Sequence, residues 1–253
     1  MSDAQVFAPG NYRFVPSGVI QYSGGVAAQP GHAMRRVVFS RPMAVREGFA
    51  AIAAELERAG RPLTALCACE LRSPEPVSES GFSDFNEFYA NTLAEWGIVN
   101  DGVNPVARSN VAPVVGAPDS PSFYAFCYTV ESDTDDQTFV IAGSSEVPEG
   151  KGSYEDHLIA YRDLSPEGIL AKARWVLDEM ERRMRVLGHG WQDTTAAQLY
   201  TIHNPHPFIE SEIARRGAMH HGLTWHLVYP PVIDMEFEMD CRRVLDERVK
   251  LVG

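Results

Sequence analysis

A repeated order of predicted elements constrains this chain more than any other feature of its sequence. Residues 44–60 and 168–188 each carry apolar side chains at helical spacing and end in a glycine, as helices commonly do. In both halves a strand precedes this long helix, and a strand, a second helix and a closing strand follow it. The order strand, helix, strand, helix, strand thus occurs twice with a period of roughly 115–130 residues, and such a unit is large enough to be a domain.

The other predicted elements lie at matching places in the two halves. They are strands 18–25, 63–71 and 122–130 with helix 82–96, and strands 138–145, 194–202 and 234–242 with helix 207–217. Residues 132–136 are acidic and poor in apolar side chains, so they are predicted to link a domain of residues 1–131 to one of residues 137–253. Each unit is predicted to be α+β, with two helices on one face of a mixed sheet. A single intertwined α+β domain is the alternative.

The charge and composition of the chain restrict its partners and its compartment. A formal net charge of −12 argues against nucleic acid and anionic membranes as partners, although a local arginine can still bind a small anionic metabolite. The chain has no apolar run near the ~18 residues that a membrane span needs, and its first residues lack the pattern of a signal peptide. Its four cysteines form no dense framework, so free thiols in a reducing cytoplasm are expected.

Arg108 is the only charged residue in the segment "NPVARSNVAPVVGAP", which spans residues 104–118. A guanidinium keeps its proton and is rarely desolvated without a partner, so a lone arginine among small and apolar side chains needs an explanation. Two roles fit this pattern. Arg108 either binds an anionic ligand or holds backbone carbonyls within a proline-containing loop.

The short motifs in each half, and the order in which they occur, resemble those of the Rid family (reactive intermediate deaminase, also called YjgF-like). The first half shares "YSGG", "FSDFNEFY" and "PVARSNVAP", and the second half shares "LGHGWQD", "QLYTI" and "PPVIDMEFEMD". The resemblance implies two chorismate-mutase-like α+β domains in tandem, with ligand clefts between neighbouring subunits. Because Rid domains associate in threes, it also implies a homotrimer that is a pseudo-hexamer of domains. No cofactor is expected.

The resemblance also implies roles for particular residues of the first half. Arg108 stands at the family's arginine, which binds the substrate carboxylate through a bidentate pair. The positions matched to other pocket residues of the family are Tyr12, Ser23, Gly24, Asn86 and Asn110. The family's glutamate, which positions the hydrolytic water, is missing here, since Phe123 occupies its place.

The second half shows the opposite pattern. Glu236 stands at the glutamate position, whereas His221 and Ala142 occupy the arginine and serine positions. The asparagine position falls near Glu212. The first half therefore keeps the family's arginine without its glutamate, and the second half keeps the glutamate without the arginine. Either the two halves form a composite site or only one of them is active.

Three carboxylates are candidates to complete the arginine site. In strand geometry Glu236 and Glu238 point to the same face, where they either act in catalysis or are simply solvated. Glu70 alternates with Cys67 and Cys69, so it points to the opposite face of its strand and is a candidate pocket or interface carboxylate.

Five histidines cluster in two segments of the second half. They are His203, His206, His220, His221 and His226. Imidazole suits zinc and iron, but the spacing fits no helical pair of ligands. No metal site is therefore predicted, and His221 is a candidate substrate-binding residue instead.

Two classes of function remain from the sequence alone. In the first, the protein is a deaminase that hydrolyses a small carboxylated imine, enamine or aminomuconate-type compound. Arg108 would bind the carboxylate, and Glu236 or another carboxylate would activate water. In the second, the protein binds a metabolite without turnover, because the separation of arginine and glutamate between halves is also expected of a site that has lost its activity.

Overall fold

A computed structural model describes residues 3–78, 81–148, 150–151 and 153–252, with the backbone alone for 81–85. In this part of the chain thirteen strands form two sheets. The seven-stranded sheet consists, in spatial order, of β1 (Gln5–Phe7), β2 (Tyr12–Val15), β3 (Gly25–Ala28), β8 (Phe139–Ser145), β12 (Glu238–Arg243), β9 (Ala196–Tyr200) and β10 (Thr224–His226). The six-stranded sheet consists of β11 (Val228–Tyr229), β6 (Ala107–Pro113), β5 (Leu66–Arg72), β7 (Ser122–Glu131), β4 (His32–Ala44) and β13 (Asp246–Lys250).

Helices cover the outer faces of both sheets. The α-helices are α1 (Val45–Arg58), α2 (Gly81–Glu95), α3 (Tyr154–His157), α4 (Pro166–Val186) and α5 (His206–Phe208), which continues as a π-helix over Ile209–Ala214. Short 3₁₀ turns occur at Ala8–Gly10, Leu63–Ala65 and Trp191–Asp193. None of the helices described is long and apolar enough to cross a membrane.

Local sequence accounts for the ends of the longest helix, α4. Ser165 precedes it, and its Oγ accepts a hydrogen bond from the Gly168 amide at 3.1 Å, which satisfies one donor of the first turn. Pro166 occupies the first position, where its missing N–H costs nothing. At the far end Gly188 adopts a φ of +80°, a conformation that glycine enters without strain. These caps explain why the predicted and observed bounds differ by only two residues at each end.

The protein is built in four layers, with the two sheets in the middle. One hydrophobic cluster joins α4 to the outer face of the seven-stranded sheet, and a second joins α1 and α2 to the outer face of the six-stranded sheet. A third cluster lies between the sheets, where Tyr12 and Val26 meet Cys67 and Ala107. Each sheet is therefore buried on both faces, and polar groups between the sheets must be paired with one another.

The sheets share strands from both halves, which corrects the prediction of two small chorismate-mutase-like domains. Strands β1, β2 and β3 of the first half join the seven-stranded sheet, where Gly25 pairs with Ile141 of β8. Conversely, β11 and β13 of the second half join the six-stranded sheet. The sequence pattern locates strands but does not show which strands pair. The prediction of two separate small sheets therefore missed the two large mixed sheets that form. This strand order favours the intertwined alternative.

Two predicted strands begin later than expected. Residues 18–24 form turns and bends apart from an isolated bridge between Ser23 and Ala107, and the strand starts only at Gly25. Likewise β12 starts at Glu238, so Glu236 precedes it. Residues 132–138 form a mostly exposed connection without regular structure, and the predicted division of the chain at 132–136 stays a prediction.

Candidate functional site

A cleft lies at the junction of the two sheets, and its volume of about 520 Å³ includes space that is open to solvent. Strand β6 of one sheet and strands β8 and β12 of the other form its base, and α4 contributes one residue. The lining residues are Tyr22, Arg108, Asn110, Gly143, Ser145, Val147, Tyr154, Arg183, Pro231, Val232, Met235 and Glu238. Two arginines and one glutamate thus face a mixture of aromatic, aliphatic and small polar groups, as in many small-molecule sites.

Arg108 is held in the cleft by an amide and two aromatic rings. Its Nη1 donates a hydrogen bond to Asn86 Oδ1 at 2.7 Å, and its guanidinium carbon lies 5.3 Å from the Tyr22 ring centroid and 5.0 Å from that of Tyr89. Only 4% of Arg108 is exposed, and burial lowers its pKa. Because an arginine keeps its proton even so, the cleft contains a largely desolvated positive charge that attracts an anion strongly.

Asn110 follows on the same strand, two residues further, and also lines the cleft. Its Oδ1 accepts a hydrogen bond from Ser73 Oγ at 3.0 Å. Its Nδ2 is buried and, within the residues that the structure describes, has no hydrogen-bond partner. A ligand with an acceptor oxygen would satisfy this donor.

Glu238 is the carboxylate of the cleft. It is 3% exposed, and its Oε2 accepts a hydrogen bond from Ser145 Oγ at 2.9 Å. Burial raises the pKa of Glu238 to about 8, helped by the charges of Asp240 and Glu146, while the Ser145 hydrogen bond opposes the rise. At neutral pH this side chain is mostly protonated, so it can donate a proton first and accept one afterwards.

Gly143 makes the position of Glu238 possible. A Cβ atom on Gly143 would overlap with Glu238 Oε1, and it would lie 3.0 Å from Glu238 Cδ and 3.2 Å from Ser109 Cα. Ser109 Cα is a backbone atom and cannot move aside easily. The glycine therefore leaves the space that the carboxyl group occupies.

Arg183 enters the cleft from α4. Its Nε donates a hydrogen bond to Glu179 Oε1 at 2.8 Å, one turn earlier on the helix. Its Nη1 faces the carbonyl oxygens of Gly24, Ala142 and Gly143 at 3.4–3.5 Å, the upper limit of a hydrogen bond. It is 2% exposed, so the second cation of the cleft is as buried as the first.

Glu236, the carboxylate predicted at the family's glutamate position, lies outside the cleft-lining set. Its Oε2 is 2.6 Å from His203 Nε2, and its backbone N–H donates to Glu146 Oε1. The expectation that Glu236 and Glu238 share a strand face is wrong, because β12 begins only at Glu238 and the alternation does not extend back to Glu236.

The Glu70 side chain lies between the two sheets and is paired with Arg36. Its two oxygens accept hydrogen bonds from Arg36 Nε at 2.6 Å and Arg36 Nη2 at 2.9 Å, and Gln198 Nε2 lies 3.3 Å away. Burial alone would raise its pKa, but the charge and hydrogen bonds of Arg36 outweigh burial and hold the pKa well below its usual range. An ionised carboxylate in a bidentate pair is a poor base, and this geometry indicates a structural role.

The other predicted site residues are divided between the cleft and the core. Ser23 and Gly24 lie beside it: Ser23 Oγ donates to the Pro105 carbonyl at 2.9 Å, and Gly24 contacts Arg183. Tyr12 is fully buried in the cluster between the sheets, where its hydroxyl donates to the Leu66 carbonyl. His221 is exposed and lies next to His220, apart from the cleft-lining residues.

The histidine segments do not converge on one point. His203 contacts Glu236, and His226 Nε2 lies 3.1 Å from Gln198 Oε1. Among the described residues, no group of three or more His, Cys, Asp or Glu side chains is placed to hold a metal ion.

Arg183, Gly143 and Ser145 were not predicted from the sequence as site residues. For Arg183 the sequence did contain a usable pattern: it lies three residues after Met180 and one before Met184, on the buried stripe of α4. A charged residue on an apolar helix face needs a partner or a function. No local pattern could show that Gly143 and Glu238 meet, because they lie on paired strands almost a hundred residues apart.

A family profile and one relative in sequence both indicate a deaminase, and a solved structure bears on the fold. The chain matches, over residues 4–248, the profile of a family described as 2-aminomuconate deaminase CnbZ. The 2-amino-5-chloromuconate deaminase of Comamonas testosteroni is 46% identical over 251 residues, which is 98% of this chain and 100% of that protein. The crystal structure of a chorismatase is similar to this structure with a TM-score of 0.55 at 13% sequence identity, and the match covers 91% of this chain and 80% of the chorismatase chain. That similarity concerns the fold alone.

These findings correct the resemblance to the Rid family, because the matching family is a different one. They also correct the fold, which is similar to that of a chorismatase and not a tandem pair of small domains. The motifs that carried the resemblance were short, and shared order alone did not distinguish the two families. The predicted homotrimer stays a prediction and loses the support of that resemblance.

Proposed function

Because the chain belongs to the 2-aminomuconate deaminase CnbZ family and is an enzyme that acts on carbon–nitrogen bonds, we propose that its substrate is a 2-aminomuconate-type dicarboxylate. Such a compound is an enamine acid, and its deamination replaces the amino group by an oxo group with consumption of one water and release of one ammonia. One observation carries the proposal: buried Arg108 and buried Glu238, whose pKa is raised by burial to about 8, line the same cleft. The alternative of a non-catalytic binding protein has no support from the family.

Arg108 binds a carboxylate of the substrate. The planar guanidinium matches a carboxylate in a bidentate pair, and the hydrogen bond to Asn86 fixes the plane of the fork before the substrate arrives. Asn110 Nδ2, on the same strand, supplies a further donor. A preformed site of this kind orients the amino-bearing carbon beside Glu238.

Glu238 transfers the protons of the reaction. Its Oε2 accepts the Ser145 hydrogen bond, so Oε1, beside Gly143, carries the proton at the start. That proton passes to a carbon of the diene, and the enamine becomes an iminium ion. The resulting carboxylate accepts a proton from water while the water oxygen bonds to the iminium carbon, which gives a carbinolamine.

Loss of ammonia completes the cycle. Glu238 donates its proton to the amino group, and the hydroxyl group returns a proton to Glu238 as the carbon–nitrogen bond breaks and the carbonyl forms. Glu238 ends protonated, as it began. A pKa of about 8 suits both roles, because either form is accessible near neutral pH.

Ammonia release from 2-aminomuconate by the wild type and by Glu238→Gln tests this function. We expect the variant to lose about 100-fold or more in kcat, the scale of general acid–base catalysis, while it still binds cis,cis-muconate, which lacks the amino group. Glu236→Gln is the matched control: it removes a carboxylate two residues away, outside the cleft-lining residues, and should change kcat less than about threefold. No ammonia from the wild type would refute the function, and equal kcat in Glu238→Gln would refute the role of Glu238.

A further inference from the structure

Two buried arginines line the cleft, and they come from different layers of the protein. Arg108 lies on β6 in the six-stranded sheet, and Arg183 lies on α4, which covers the seven-stranded sheet. Their exposed fractions are 4% and 2%. Burying a second cation beside the first is costly, and a single carboxylate of a substrate needs only one.

The surroundings of Arg183 are arranged to present its charge to the cleft. Glu179 binds the Nε edge of the guanidinium, and the Nη1 atom reaches carbonyls only at 3.4–3.5 Å. Gly24 lies directly against the Arg183 side chain: a Cβ there would lie 3.4 Å from Arg183 Cδ and Nε, an ordinary van der Waals contact. The guanidinium group of Arg183 is therefore held against the base of the cleft.

Arg182, the preceding residue of α4, provides a comparison because it does not line the cleft. It binds the same Glu179 carboxylate, through two hydrogen bonds of 2.7 Å. Its side chain is 36% exposed, however, and does not line the cleft, whereas that of Arg183 is 2% exposed and does. Pairing with Glu179 therefore does not account for the burial of Arg183, which differs from Arg182 in facing the base of the cleft.

We infer that Arg183 binds the second carboxylate of the substrate and makes the enzyme selective for dicarboxylates over monocarboxylates. This inference rests on the proposed function and extends it. A six-carbon dienedioate has a carboxylate at each end, so one end pairs with Arg108 and the other with Arg183. The apolar side chains of Val147, Val232 and Met235 then contact the carbons between them. Without the second arginine, the far carboxylate would be desolvated with no partner.

The dissociation constants of cis,cis-muconate and its monomethyl ester, measured by calorimetry, test the inference. These probes share one carbon skeleton and differ by one negative charge. We expect the wild type to prefer muconate by about tenfold or more, and Arg183→Met to reduce that preference to within about threefold. Arg182→Met is the matched control and should keep the wild-type preference. Because both ligands are compared within one variant, the ratio does not depend on the folded fraction.

Arg183→Lys covers the case in which Arg183→Met does not fold. Lysine keeps the charge but lacks the planar fork, so we expect an intermediate preference. A wild type that binds neither probe, or both equally, would overturn the inference, and so would an unchanged preference in either Arg183 variant. If muconate selectivity depends on Arg183 but the wild type releases no ammonia from 2-aminomuconate, the proposed function fails and the selectivity stands.

Discussion

Glu238 depends on neighbours that supply space, a hydrogen bond and charge. Gly143 leaves the volume that its carboxyl group fills, Ser145 holds one oxygen, and Asp240 adds a negative charge that helps to raise the pKa of Glu238. Asp240 is itself fixed, since Ser109 Oγ donates to it at 2.6 Å and the Tyr200 hydroxyl at 2.8 Å. The position and pKa of this glutamate therefore depend on all five of these residues.

Gly143→Ala should lower ammonia release about tenfold or more, because the added methyl group displaces Glu238 from its position. The free energy of unfolding should fall by about 1–3 kcal/mol, the usual cost of overpacking. A double-mutant cycle with Glu238→Gln provides the check. If the glycine acts through the carboxyl group, Gly143→Ala costs little further activity in the Glu238→Gln background; a full additional loss would point to another role.

At the scale of elements, buried ion pairs hold the strands and loops around the cleft. Arg36 of β4 and Glu70 of β5 pair between the sheets, and Arg36 also reaches Glu247 of β13 at 2.9 Å. Glu146, just after β8, accepts hydrogen bonds from the backbone N–H groups of Glu236 and Phe237, and lies 3.4 Å from Lys172 of α4. These pairs fix the segments from which the cleft residues project.

Glu70→Gln should destabilise the fold without impairing catalysis. Removing one member of a buried pair leaves Arg36 partly uncompensated, which costs about 3–5 kcal/mol of unfolding free energy. Asp246→Asn is the matched control, since Asp246 of β13 pairs with Arg35, the neighbour of Arg36 on β4, but its side chain is 36% exposed, and it should cost less than about 1 kcal/mol. Urea denaturation measures both. A loss of kcat in folded Glu70→Gln as large as in Glu238→Gln would return Glu70 to the list of catalytic residues.

Elements that depend on local sequence were predicted well, and those that depend on distant partners were not. Helices α1 and α4 follow from apolar spacing and terminal glycines. Arg108 was singled out because a lone charge in an otherwise uncharged segment is unusual, although that segment was taken for a proline-containing loop and is the strand β6. Glu236 precedes β12 and lies outside the cleft-lining residues, so extending strand alternation back to it misplaced its side chain, and its predicted catalytic role stays a prediction. Arg183 was missed because a charged residue on an amphipathic helix is usually solvated, although its place on the apolar stripe of α4 could have marked it as an exception.

At the scale of the whole molecule, the two halves of the chain share both sheets. Gly25–Ala28 pairs with β8 across more than a hundred residues, and Asp246–Lys250 runs parallel to β4, from Arg35 to Phe39. Neither half can keep its sheet intact if the other unfolds. The cleft lies at the junction of the sheets, so its residues come from both halves as well.

Thermal unfolding should therefore be a single cooperative transition. In differential scanning calorimetry the calorimetric and van't Hoff enthalpies should agree, as for one folding unit. Two resolved transitions, or a van't Hoff enthalpy near half of the calorimetric value, would indicate independent domains divided near residues 132–136. Cooperative loss of both sheets is expected because the strands at their edges are exchanged between halves.

The pH dependence of kcat/KM for ammonia release from 2-aminomuconate tests the central claim, that protonated Glu238 starts the reaction in the arginine cleft. The pKa of Glu238 is raised by burial to about 8, so the acid form predominates below that pH and disappears above it. We predict that kcat/KM falls as pH rises through about 8, and that this alkaline limb is absent from the residual activity of Glu238→Gln. A wild-type rate that stays constant or rises between pH 7 and pH 9 (a range on the order of one unit either side of the expected pKa) would contradict the account.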